Sequence, residues 1–292
     1  MKRVQFRHSA VPYFFIAPQI AIIAIFFLWP AAQAIRQSFL LEDAFGMSSQ
    51  FVWFRNYEDT VFNQQWVNSA VFTLIFSALV TFLSLAIALL LAVKANEVLR
   101  APGTYKTLLM WAYAVAPPVA GLMGNMMFSP LLGDIFNGLN DLGWDFDHNL
   151  DPFDAAFVVI LISVWKQVSV NFIFFLSGLQ GIPKSVLEAA LLDCRSAGKR
   201  FWTITFPLLA PTTFFLIVIN ITYAFFETFG IIDTTTRGAP AGSTTTLVYK
   251  VYTDGFLGAD LGGSSAQSVI LMIMVLLLTV VQFRFIERKI HY

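Results

Sequence analysis

The sequence predicts an all-α, polytopic membrane protein with six transmembrane helices and one short helix on the cytoplasmic face. Three observations predict it. Of the 292 residues, 57% are hydrophobic and 12% charged, against about 45–50% and about 25% in an average soluble domain. Six segments reach the roughly 20 apolar residues that a bilayer-spanning helix needs. Lys and Arg collect on alternate loops, as the positive-inside rule requires. The same composition, with a mean hydropathy of +0.70, excludes a soluble globular domain and a disordered chain. With 18 basic and 18 acidic side chains the formal net charge is zero, so nothing points to nucleic acid. Cys194 is the only cysteine, which excludes an intramolecular disulfide and a multi-cysteine metal site. His8, His148 and His291 are too scattered in sequence to suggest a metal site.

The first span runs from about Val11 to Ile35 and the second from about Asn68 to Val93. The third, about Tyr105 to Phe128, is broken by Pro117-Pro118. The fourth covers about Ala155 to Leu179, the fifth about Phe201 to Phe229 and the sixth about Ala266 to Phe285. A cleaved signal peptide is the rival reading of the first span. Lys2, Arg3 and Arg7 precede an apolar run, and Ala32-Gln33-Ala34 has the small-x-small form, but the run exceeds a usual signal core of about 7–15 residues.

With a cytoplasmic N-terminus, the cytoplasmic side holds Lys2, Arg3, Arg7, Lys94, Arg100, Lys106, Lys184, Arg195, Lys199, Arg200, Arg284, Arg288 and Lys289. The other side holds Arg36, Arg55, Arg237 and Lys250. That asymmetry of 13 against 4 places both termini in the cytoplasm. The outer loop from Ser129 to Asp154 agrees, with six Asp and no Lys or Arg. The outer loop over 230–265 is rich in Gly, Thr and Ser and reads as an irregular segment with a short helix near Thr246–Phe256. It is either a passive connector or a docking surface.

Chemistry is sparse. There is no G-x-x-x-x-G-K-[ST], hence no P-loop and no means of hydrolysing ATP. There is no H-E-x-x-H and no G-x-S-x-G. No catalytic or metal-binding residue and no cofactor of this chain is therefore expected. Glu227 is the only acidic residue inside a span, so the Asp/Glu/His relay common in proton-driven carriers is lacking. That counts against a secondary carrier or channel, and the lack of a catalytic constellation against a membrane enzyme.

The segment Gly181 to Pro211 carries the most information. Pro183 and Ser185 start a helix, and Ser185 with Glu188 has capping-box spacing. Val186, Leu187, Ala190 and Leu191 form an apolar stripe. Arg195, Lys199 and Arg200 lie at the end where the helix dipole favours cations, and Gly198 offers a stop. Pro207 and Pro211 interrupt the start of the fifth span. The helix, about 183–200, either lies at the membrane surface or docks into a cytoplasmic partner.

Glu188-Ala189-Ala190, Asp193, Phe201, Ile204, Pro207, Leu208-Leu209 and Pro211 resemble the EAA loop of membrane subunits of ABC importers. The family usually has Gly-Ala after the Asp, where this chain has Cys194-Arg195, with Gly198 four residues later. Pro12-Tyr13, Ala17-Pro18-Gln19, Trp29-Pro30, Thr236-Arg237-Gly238-Ala239-Pro240, Thr246-Leu247 and Tyr252 extend the resemblance to sugar-type permeases. Tyr113 to Pro117, Ser163 to Gln167, Ala224 to Phe229 and Val280 to Arg284 resemble the permeases of glycerol-phosphate importers within that superfamily. The resemblance implies one permease domain over 1–292 whose helix around Glu188, Ala189, Ala190, Asp193, Gly198 and Pro207 couples to an ATPase. It also implies a second homologous permease, two ATP-binding cassette subunits that bind ATP and Mg²⁺, a periplasmic or lipid-anchored binding protein, and a place in the bacterial inner membrane. The implied cargo is glycerol 3-phosphate or glycerophosphodiesters, with a sugar or polyol as the alternative.

Lys166 lies about 12 residues beyond Asp154, or about 18 Å into a core about 30 Å thick, too deep to snorkel. Glu227, near the other end of its span, is separated from it by depth, which argues against an ion pair. Lys166 either bonds backbone carbonyls beside a kinked helix or meets a phosphate during passage. Asn125, Gln167, Asn171, Asn220 and Tyr223 also fall inside spans. Each lines a path or bonds between helices.

Overall fold

The computed structural model describes residues 11–42, 48–97, 102–194 and 196–285. Lys2, Arg3, Arg7, His8, Arg100, Arg195, Arg288, Lys289 and His291 lie outside them. Among the described residues five helical runs are long and apolar enough to cross a membrane, or six where a bent pair is counted as one span. The chain packs as two compact units. One comprises 1–63 with 251–273, the other 64–250 with 274–292.

In the first unit, Val11–Ile23, π-helical Ala24–Leu28 and Trp29–Gln37 form one helical run with nothing buried across its span. The π turn lies just ahead of Pro30, which has no N–H to give the ladder. The strands Leu40–Glu42 (β1) and Ser49–Phe51 (β2) then pair antiparallel, Leu41 opposite Gln50. The helix Arg55–Phe62 follows.

In the second unit, the 34-residue helix Gln64–Glu97 buries Ser69, Thr73, Ser77, Thr81, Ser84, Ala88 and Ala92 along one face. Their spacing of three and four keeps small side chains in line, so the backbone of the fourth span, Pro152–Gln180, can approach closely. Asp151 caps that fourth span by accepting from the N–H groups of Phe153 and Asp154 at 2.7 and 3.2 Å. Ala88, Ala92, Phe172, Phe175, Leu176, Leu179, Leu209 and Leu216 form a closed core among the second, fourth and fifth spans.

The third span is not a kinked rod. Thr107–Ala114 and Pro117–Met127 meet at 101°. Ala116 is extended (φ −61°, ψ 142°), as a residue before proline prefers. The fifth span is segmented as well: π-helical Phe201–Thr205 lies ahead of Pro207, Leu209 interrupts ahead of Pro211, and Ala210–Thr222 leads into π-helical Tyr223–Glu227. The sixth span is Leu261–Phe285. Between the fifth and sixth, the expected short helix is Leu247–Tyr252 followed by π-helical Thr253–Leu257.

Two local expectations need correction. Pro183, not Ser185, is the N-cap of the helix Lys184–Asp193, and no side-chain cap forms. The proline's fixed φ starts the helix two residues early, which places Ser185 inside the first turn. The helix also stops before Gly198. Cys194 is extended (φ −130°, ψ 106°), and Gly198 falls within a second, four-residue helix, Ala197–Arg200. The Arg200 guanidinium closes the gap by donating to the Cys194 carbonyl at 3.1 Å.

Candidate functional site

The break in the third span releases the Val115 carbonyl from the helical ladder. Lys166 Nζ, on the fourth span, donates to it. The lysine is almost wholly buried, at 6% exposed, so its charge needs an acceptor where water is scarce. One of its three ammonium donors is thus used. The far side of the break is pinned to a short helix, Phe229–Thr235, which follows the fifth span where the sequence reads as an irregular loop. Thr234 Oγ1 donates to the Pro118 carbonyl at 2.9 Å and Thr235 Oγ1 to the Gly121 carbonyl at 3.1 Å. Asn125 Nδ2 donates to the Thr234 and Thr235 carbonyls at 3.3 and 3.0 Å. Gly230 sits so close to Pro118 that a Cβ would come within 2.8 Å of its ring, and one on Gly121 would lie 2.2 Å from Thr234 Oγ1.

Two irregular pieces of backbone therefore lie side by side: the break at Val115-Ala116 and the run from Tyr223 through Gly230. Irregular backbone at membrane depth is stable only where protein buries it or a wet cavity satisfies it. Tyr223 is buried, and its hydroxyl makes no hydrogen bond among the described residues. Glu227 is exposed at the end of the π turn and interacts electrostatically with both Tyr223 and Lys166. The depths read from the sequence separate Lys166 from Glu227 and argue against an ion pair. No ion pair joins Lys166 to Glu227; Arg55–Asp59 and Lys94–Glu97 pair on exposed surface.

Asn171 and Asn220 lie elsewhere, in a closed polar knot. Asn171 Nδ2 donates to Asn220 Oδ1 at 3.0 Å and Asn220 Nδ2 returns the bond to Asn171 Oδ1 at 2.7 Å. Ser84 of the second span donates to Asn220 Oδ1 at 2.9 Å and accepts from Asn171 at 3.1 Å. All three residues are fully buried. In this arrangement they clamp the second, fourth and fifth spans and present nothing to a passing solute. Gln167 is buried too. Ser84, Ser163, Thr234 and Thr235 were not singled out by sequence. The available signal was the Ser/Thr ladder at three- and four-residue spacing in the second span.

At the other candidate site, Glu188 and Ala189 are exposed and Ala190 is buried. Leu191 and Leu192 are also exposed, an apolar edge beside the Glu188 carboxylate. The helix flanks a cleft of about 330 Å³ lined by Asn96, Glu97, Ile182, Leu187, Gly198 and Arg200, among others. Pro207 lies one turn into the fifth span, behind the cleft residue Phe201. Among the described residues no group of three or more His, Cys, Asp or Glu could hold a metal ion.

Residues 107–292 match the family described as binding-protein-dependent transport system inner membrane component. The chain is 51% identical over 292 residues, all of both chains, to a Brucella suis biovar 1 (strain 1330) protein named sn-glycerol-3-phosphate transport system permease protein UgpA. It is 49% identical over 290 residues to the Yersinia pestis protein of the same name, covering 99% of this chain and 98% of that one. A crystal structure of a bacterial ABC transporter involved in the import of the acidic polysaccharide alginate shares the fold, with a TM-score of 0.82 at 21% identity over 96% of each chain. A second structure, of such a transporter with an alginate pentasaccharide-bound periplasmic protein, gives 0.80 at 20% identity over 95% of this chain and 94% of that one.

Proposed function

We propose, from the premise that the chain belongs to the binding-protein-dependent transport system inner membrane components, that it is one permease subunit of an ATP-driven importer of sn-glycerol 3-phosphate and glycerophosphodiesters. The observation that carries this reading is end-to-end identity near one half with permeases named for sn-glycerol 3-phosphate. The Lys166 region supports it. A phosphate monoester carries about −1.5 to −2 charges near neutral pH and cannot cross a low-dielectric region unpaired. Lys166, Tyr223 and Glu227, beside two breaks in helical backbone, are the polar groups best placed to face such a solute. Asn171 and Asn220 would join them only in a conformation that opens their mutual bond.

The work is shared. A second homologous permease completes the path, a periplasmic or lipid-anchored protein delivers the solute, and two ATP-binding cassette subunits bind ATP and Mg²⁺. The helix Lys184–Asp193, with Glu188, Ala189, Ala190 and Asp193, then Gly198 and Pro207 behind it, transmits ATPase closure to the spans. The chain contributes a two-state element and no chemistry. Both termini are cytoplasmic, from the asymmetry of Lys and Arg.

The test is uptake of labelled glycerol 3-phosphate into proteoliposomes holding the assembled complex, with and without internal ATP. Uptake should need internal ATP and the binding protein, and excess glycerophosphodiester should compete where a neutral sugar or polyol does not. ATP-independent uptake would indicate a carrier; competition by a sugar or polyol would shift the substrate.

A further inference from the structure

Between the first and second spans the chain builds a compact aromatic knot. Phe39 is its centre. Its ring lies 6.2 Å from Phe51, 5.5 Å from Phe54 and 5.5 Å from Tyr57, and Phe51 meets Trp53 edge-on at 4.9 Å. The frame beneath is polar and satisfied. Asn56 Nδ2 donates to the Ser38 and Leu40 carbonyls, both at 2.9 Å. The Ser38 and Tyr57 hydroxyls pair at 2.6 Å, and the Val52 N–H donates to the Phe39 carbonyl at 2.9 Å. Gly262, at the start of the sixth span, approaches so closely that a Cβ would sit 2.2 Å from the Leu40 carbonyl.

So rigid a frame is expected to bury its rings, yet it holds them out. Phe51 is 53% exposed, Trp53 68%, Phe54 60% and Phe62 86%. Trp53 holds a left-handed backbone (φ 54°), uncommon for a bulky residue, and persists there because the neighbours fix it. Phe51, Trp53 and Phe54, joined through Phe39, form a contiguous exposed aromatic patch, and such a patch marks an interaction surface.

We propose that this knot is an interfacial anchor, with Phe51, Trp53, Phe54 and Phe62 seated at the headgroup–acyl boundary of the bilayer. Three observations select lipid as the occupant. No tether lifts the knot from the membrane: Ser38 follows the last helical residue of the first span, and Asn63 immediately precedes the second. The knot follows directly on the first span, which has nothing buried across Tyr13–Gln37 within this one chain. Trp53 is of the type enriched at membrane–water interfaces, and Phe beside Trp forms the apolar face of interfacial segments. The helix Arg55–Phe62 exposes Arg55 and Asp59, which pair with each other, and Glu58, between Phe54 and Phe62.

The test uses the assembled complex in phosphatidylcholine nanodiscs. In a Cys194→Ser background, Trp53→Cys and Asp59→Cys each carry a nitroxide. The expected result is strong collisional relaxation by oxygen, with little by a water-soluble nickel chelate, at position 53, and the reverse at 59. Trp53→Phe gives a second reading that needs no label. The emission lost in that variant should be largely quenched when phosphatidylcholine brominated on its acyl chains replaces the ordinary lipid. Nickel access at 53 equal to that at 59, or bromine-insensitive Trp53 emission, overturns the proposal. Protection at 53 that arises only on adding the substrate-binding protein also overturns it, in favour of a protein-docking surface.

Discussion

Lys166 shows how one backbone defect fixes one side chain. Proline at 117 and 118 breaks the third span, the break frees the Val115 carbonyl, and the carbonyl gives a buried ammonium its acceptor. Replacing the lysine with methionine keeps most of the volume and removes the charge. The Val115 carbonyl then loses its partner, at a cost of about 1–3 kcal/mol unless water replaces it. For transport the sign follows from charge. A phosphodiester carries about one negative charge fewer than a fully ionised monoester. Lys166→Met should therefore slow glycerol 3-phosphate uptake about tenfold or more, by the worth of one charge-assisted bond, and glycerophosphodiester uptake less. The measurement is parallel uptake of both substrates, normalised to assembled complex. Wild-type rates for both would reduce Lys166 to a structural bond.

At the scale of elements, span number and order were legible because twenty apolar residues in a row admit few other readings. The prolines at 117, 207 and 211 marked where helices fail. The failure itself was not legible, because a proline can kink a helix, widen it to a π turn or end it, and neighbouring spans decide which. The Asn171–Asn220–Ser84 knot was half legible. Its asparagines were visible as polar residues inside spans, but their mutual bond depends on the crossing of three helices. The segment between the third and fourth spans was read only as acidic, yet it has a core. Phe146 and His148 are buried there, and Asp154 accepts from the Asp147 N–H at 2.8 Å and from Trp144 Nε1 at 3.2 Å. Burial holds the His148 imidazole below its ordinary pKa, against the opposing pull of Asp147 and Asp154. A base whose pKa falls on packing stabilises the packed form fully above its free value, near 6.5, and progressively less as pH drops below it. Amide exchange at Asp147, corrected for intrinsic rates, should therefore speed up between pH 7 and pH 5, by up to about 1.4 kcal/mol of lost protection per pH unit. In His148→Phe that acceleration should vanish; its persistence would assign the effect to the carboxylates.

At the scale of the whole molecule, a permease must link a site buried among its spans to an engine outside the bilayer. In the proposed reading the helix Lys184–Asp193 makes that link. It follows the fourth span after the short turn at Gly181–Pro183, and the fifth begins just beyond Arg200. A push on it therefore moves the two spans that carry Lys166 and Tyr223. Its own chain does not satisfy it: Leu191 and Leu192 are exposed, and Glu188 is exposed beside them. Two exposed leucines next to a carboxylate form a small apolar knob with a charged rim, the pattern by which a rim charge steers a partner and sets its register. Glu188→Lys leaves the knob and the helix intact, since lysine is an equally good helix former. It should therefore insert and assemble with the second permease, yet bind the ATPase at least about tenfold more weakly, equivalent to ~1.4 kcal/mol. The loss should ease as salt rises, because an exposed charge is screened. The readout is co-purification of the ATPase subunits and ATP hydrolysis stimulated by loaded binding protein, at low and high salt. Undiminished association and stimulation would mean that the helix lies passively on the membrane surface and that the coupling contact must be sought elsewhere on the chain.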